Sequence, residues 1–214
     1  MATATKESKS SKQKTSGMNS AMDLFVHELS DIRSAEQIII SMLEQGIKAV
    51  TNEELKTGLE AHLEETRGHL DTLDKVFKEL DLEPEDVECE GAKGLKRELD
   101  EAIKEKPAPL VLDAMIAGGA AKTEHYEISG YSGLVDQAKL LGEDSVAKLL
   151  SQNLKDEDAA LKKLEKVESK LQKELVGESK SSLAIFALEI HDAHARQHHC
   201  AVSIAVTSGG QGRR

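Results

Sequence analysis

The chain has 214 residues, a formal net charge of -11, three prolines, no tryptophan and only 2% aromatic residues. That length and composition suit one helical domain with tails, and a β-rich fold would lack its usual aromatic residues. The acidic balance argues against nucleic acid as a partner, and no apolar run of about 18 residues offers to span a membrane.

Residues 1–19 are rich in Ser, Thr and Lys and nearly devoid of apolar side chains, so a disordered basic arm is expected. The arm has no apolar core of the kind that directs export, and Cys89 and Cys200 match neither a zinc spacing nor a disulfide framework. A cytoplasmic location with reduced thiols follows as the expectation. From Ala21 to about Val50, apolar residues recur at helical spacing through Phe25, Leu29, Ile32, Ile39 and Leu43, which predicts a first amphipathic helix. Asn52 is placed to cap a second, carrying a stripe from Leu55 to Leu80 and stopping near Glu83-Pro84.

A connection of about 25 residues follows, with a short helical stretch around Gly94–Lys104 before the Lys106-Pro107-Ala108-Pro109 break. Leu110 to Leu140 reads as a third long helix, Gly142 punctuates it, and Asp144 to about Lys173 reads as a fourth. The two short joints force antiparallel hairpins, while the long piece between helices two and three can run the length of the bundle. The expected architecture is therefore an all-α, ferritin-like antiparallel four-helix bundle over residues 20–174 with one long crossover. Residues 175–214 are expected to form an extension, helical or poorly ordered.

Acids interrupt the apolar stripes near the middle of each long helix. Glu36 continues the series Leu29, Ile32, Ile39 and Leu43, and Glu157 sits between Leu150, Leu154, Leu161 and Leu164. Glu124 and Glu127 lie one turn apart on the third helix, and His62, Glu65 and His69 sit beside the second helix's leucine stripe. A lone buried carboxylate is costly, and five converging ones need cations between them to stay ionised. Two divalent metal ions, iron or manganese, suit such hard oxygen donors.

The segments LFVHELSDIRSAEQ, AHLEETRGHLDTLDKVF, VLDAMIAGGAAKTEHYEISGYSGL and LLSQNLKDEDAALKKL resemble the YciE/YciF-type bacterial stress proteins of the ferritin-like superfamily. That resemblance covers about residues 21–170 and implies a two-metal site built from Glu36, Glu65, Glu124, Glu127 and Glu157. Ferritin-like sites usually pair a Glu with a His three residues later, but Gly68 and Ala160 occupy those positions after Glu65 and Glu157. His62 is the best imidazole substitute, with a hydrogen-bonded core histidine as the competing reading, and His69 and His125 are poorer ones. For Glu36 and Glu157 the competing reading is a helix-edge acid that reaches solvent.

Tyr126 and Tyr131 flank the third-helix motif, where they could pass electrons or hydrogen-bond near the metals, and packing with a wet hydroxyl is the expected role. Gly118 and Gly119 would allow close helix approach, for example across a homodimer interface, or equally make room for bulky residues opposite. In the C-terminal extension His191, His194 and His198, with His199 and Cys200, form a secondary candidate for metal capture, set against an apolar docking helix. The function expected is a dinuclear metal-binding protein of the bacterial stress response, handling peroxide or dioxygen or acting as a ferroxidase. The alternatives are passive metal storage and a metal-free structural dimer.

Overall fold

Ser20 and Asn52 open the first hairpin by accepting, through their side chains, the amide protons of Asp23 and Leu55. Such caps satisfy donors that the first helical turn leaves orphaned. The computed structural model describes residues 18–207, with side chains to residue 180. It contains α1 (Ala21–Ala49), α2 (Glu53–Glu79), α3 (Glu90–Lys104), α4 (Pro109–Leu141) and α5 (Asp144–Thr207). No strand occurs among the described residues. Helices α1, α2, α4 and α5 form the ferritin-like bundle, and α3 lies inside the crossover, packed on α1 and α4.

Gly142 makes the second tight joint. Its φ of 82° lies in the left-handed region that favours glycine, and the following Glu143 amide returns to the Ala138 carbonyl. The core is assembled from Phe25, Leu29, Ile39, Leu73, Leu134 and Leu150, all essentially solvent-free. Each such side chain contributes about 1.5–3 kcal/mol on leaving water.

Two buried serines on α1 had no evident purpose in the sequence. Ser30 Oγ accepts from the Glu85 amide at 2.9 Å and Ser34 Oγ from the Cys89 amide at 3.0 Å, one turn apart. They tie the backbone of the crossover to the bundle. Cys89 then caps α3, which starts at Glu90, a few residues earlier than the Gly94 expected from sequence.

α5 also departs from expectation: it continues past Lys173 to Thr207, and its 64 residues make it about twice as long as α4 with its 33. The segment from Lys173 to Thr207 contains no proline, and Gly177 alone does not break a helix. Most of the N-terminal arm, residues 1–17, lies outside the described residues, as do the side chains of His191, His194, His198, His199 and Cys200.

Candidate metal centre

Four helices each turn at least one ionisable side chain into the middle of the bundle. Glu36 comes from α1, His62 and His69 from α2, Glu124 and Glu127 from α4, and Glu157 from α5. All are buried, and Glu36, Glu127 and Glu157 are fully so. Their donor atoms fall into two groups, each with one atom per residue lying within 4.8 Å of the others: His62, Glu124, Glu127 and Glu157 in one, and Glu36, His69 and Glu157 in the other.

Glu157 belongs to both groups. Its Oε2 lies 3.7 Å from His62 Nε2 and its Oε1 lies 2.9 Å from His69 Nδ1, so the one carboxylate stands between the two imidazoles. On the outer sides His62 Nε2 approaches Glu124 Oε1 at 3.1 Å, and His69 Nδ1 approaches Glu36 Oε1 at 3.6 Å. The approaches at 2.9 and 3.1 Å are misaligned for hydrogen bonding, and those at 3.6 and 3.7 Å are too long. His62 Nε2, His69 Nδ1, both oxygens of Glu127 and of Glu157, and one oxygen each of Glu36 and Glu124 have no hydrogen-bond partner. Orphaned buried donors and acceptors are rare in native proteins, and so many facing a common space fit a site shaped for cations.

Electrostatics follow from that crowding. Burial, and then the neighbouring charges of Glu36, Glu157 and Glu124, drive Glu127 well above the usual carboxylate range. Burial also raises Glu36 and Glu157, although His69 beside them works the other way. Burial works against a charge on His62, yet the carboxylates of Glu124, Glu157 and Glu65 outweigh it and push the ring up to about 9. For His69, Glu157 and Glu36 likewise outweigh burial and push it up to about 10. Raised carboxyls and raised imidazoles both lessen the net negative charge of the metal-free cluster.

Hydrogen bonds around the cluster hold Glu36 and the α2 backbone at His62 and His69. Tyr131, solvent-free, donates to Glu36 Oε1, and Asn153 Nδ2 donates to the Tyr131 hydroxyl at 3.1 Å and to the His69 carbonyl at 3.3 Å. Thr66 Oγ1 donates to the His62 carbonyl at 2.9 Å. Tyr131, for which a wet hydroxyl was expected, is instead a dry support of the site. Tyr126 turns the other way, its hydroxyl 2.9 Å from Cys89 Sγ and donating to Asp31 at 3.3 Å.

Of the six residues singled out by sequence, Glu36, His62, Glu124, Glu127 and Glu157 converge. Glu65 stands at the rim, with its carboxylate 3.4 Å from His62 Nδ1 and 3.6 Å from Lys163 Nζ. A cavity of about 820 Å³ between α2 and α5 reaches inward there, past Glu65 to His62 and Glu124. His125 is exposed. His69, ranked below His62 from sequence, lies in the centre. The signal was available: His62 and His69 are one heptad apart and share a helix face to within about 20°, whereas Glu65 is turned about 60° from His62.

A family model for a domain of unknown function, DUF892, matches residues 20–176. YciF from Escherichia coli strain K12 is 38% identical over 143 residues, covering 66% of this chain and 86% of that protein. The crystal structure of the E. coli stress protein YciF superposes with a TM-score of 0.71 at 36% identity, over 73% of this chain and 99% of that one. YcfI from Rhodopseudomonas palustris gives 0.68 at 41% identity, over 71% and 96%. A ferritin-like, diiron-carboxylate protein from Bacillus anthracis gives 0.57 at 18% identity, over 71% and 99%, which is a likeness of fold.

Proposed function

The chain belongs to the DUF892 family, and we propose that it binds two divalent metal ions, iron or manganese, at the centre of its ferritin-like bundle as a protein of the bacterial stress response. The observation that carries this reading is the position of Glu157, one oxygen toward each imidazole, with unpartnered buried ligand atoms on both sides. His62, Glu124 and Glu127 would hold one ion, Glu36 and His69 the other, and Glu157 would be shared. Glu65 is the remaining candidate ligand, at the mouth. An iron or manganese pair would supply two-electron exchange with peroxide or dioxygen.

The chain's own residues prepare that site. Tyr131 holds Glu36 in place, and Asn153 fixes both Tyr131 and the backbone of α2 at His69. The cavity between α2 and α5 gives ions and small oxidants a route from solvent to His62. The leucine and alanine core keeps the rest of the cluster dry. The protein of this reading works in the cytoplasm as a homodimer.

One feature of the site favours a second reading, a metal-free structural protein: two imidazolium rings already offset much of the carboxylate charge. Ferrous iron added to metal-free protein, followed by peroxide, distinguishes the readings. Uptake of about two ions with rapid peroxide consumption is the expected result. Uptake without consumption leaves passive storage, and no uptake of iron or manganese refutes the metal reading.

A further inference from the structure

A second cavity, of about 320 Å³, lies under the crossover, walled mainly by α1, α3 and α4 with residues of α2 and α5, and reaching inward to His62 and Glu124. Its walls are mostly aliphatic, with Ile39, Leu59, Leu99 and Ile116; the charged Glu98, Lys122 and Glu168 also line it, and no Phe, Tyr or Trp does. On α4, Gly118 and Gly119 leave the space that side chains would fill, and a Cβ at Gly119 would meet no atom within 4 Å. The crossover helix is thus a wall of a binding cavity as well as a connection.

We propose that this cavity binds a linear aliphatic alcohol of medium chain length, hydroxyl inward. The volume is about twice that of a buried cavity known to hold benzene, which corresponds to roughly eight to ten carbons. A flexible aliphatic chain fits walls of Leu, Ile and Met, which offer no aromatic face for a ring to stack on. The inner end selects the head group. His62 Nε2 and Glu124 Oε2 are buried and lack hydrogen-bond partners. A hydroxyl both accepts and donates, and so satisfies the two together. A carboxylate head would add a further negative charge beside Glu124, Glu127 and Glu157 and is disfavoured. The hydroxyl shares His62 and Glu124 with the proposed metal site, so bound metal competes for the head group while the aliphatic walls, which hold the chain, stay the same.

Calorimetric titration of the full-length protein, metal-free and metal-loaded, with 1-alkanols from hexanol to dodecanol tests this. Affinity of the metal-free protein should rise about fourfold per added methylene until the cavity is full, at roughly eight to ten carbons, and then stop rising. Gly119→Leu should weaken octanol binding at least about tenfold with metal content unchanged, because the new side chain occupies the same space. Met42→Ala, which enlarges the wall, should move the break to longer chains and decides the matter if Gly119→Leu does not fold.

Absence of binding, or affinity that climbs through dodecanol with no break, overturns the pocket and leaves the metal centre standing. So does a Gly119→Leu protein that binds octanol normally but sediments as a smaller species, because the face would then be a contact between copies. A protein that takes up no metal yet shows the break retains the pocket and loses the metal centre.

Discussion

Replacing Glu127 by glutamine should have opposite effects on the metal-free and metal-loaded protein, and that inversion separates a metal ligand from an ordinary core residue. Glu127 has no solvent exposure and no hydrogen-bond partner for either oxygen, and it shares a space of 4.8 Å with Glu124 and Glu157. Two ionised carboxylates 4.8 Å apart repel by about 3–4 kcal/mol at an effective dielectric of about 20. Burial and the neighbouring acids push Glu127 well above the usual carboxylate range, which favours its neutral form without metal, and glutamine mimics that form. The metal-free Glu127→Gln protein should therefore be more stable than the parent at pH 7 by about 1–3 kcal/mol, or at least about 2 °C in Tm.

With metal the sign reverses. Saturating an intact site at 100 times its Kd adds about 2.7 kcal/mol, or about 5–11 °C for a chain of this size. Glutamine, a neutral and weaker donor, should lower affinity about 100-fold or more and remove most of that gain. Differential scanning calorimetry with and without Mn²⁺, paired with elemental analysis, reads both arms. A Glu127→Gln protein that melts earlier when metal-free and keeps its full metal-induced shift would refute the reasoning.

Three further outcomes follow from the geometry. His69→Ala should reduce bound metal from about two ions per chain to about one, while His125→Ala, on the exposed face, should change nothing measurable by elemental analysis. Metal uptake at pH 7 should release protons measurable in a pH-stat, since His62 and His69 titrate near 9 and 10 in the metal-free fold and must lose their protons to ligate. Both values are raised above the ordinary 6.5, so their contribution to metal-free stability is complete below about pH 6.5 and disappears as pH climbs through 9 to 10, a loss that urea titrations across that window should show. Gly91→Ala would place a methyl 2.7 Å from the Tyr126 ring, which its bonds to Cys89 and Asp31 hold in place, and should cost about 1–3 kcal/mol in urea unfolding.

Local chemistry in the chain determined the helices and their joints. Asn52, Pro109 and Gly142 act on backbone within a few residues of themselves, so capping and turn signals carried over almost directly into structure. Inward acids at Glu36, Glu124, Glu127 and Glu157 were equally legible, because a charged residue on an apolar stripe shows through helical period alone. The end of α5 was not legible, since no residue between Lys173 and Thr207 forces a stop.

Tertiary structure decided what periodicity leaves open. The period assigns a residue to a face but does not set the rotation of that face about the helix axis. In the assembled bundle the rotation of α2 brings His69 beside Glu36 and Glu157 and leaves Glu65 at the rim. The same holds for Ser30 and Ser34, whose partners lie 55 residues away in the chain, and for the space beside Gly119, which exists only once α3 closes over α1 and α4. Sequence reasoning assigned the charge balance of the core first to bound cations, with protonated or water-bridged acids as the alternative. The fold supplies part of it through two histidines, because only the packed arrangement brings their rings within 4 Å of the acids.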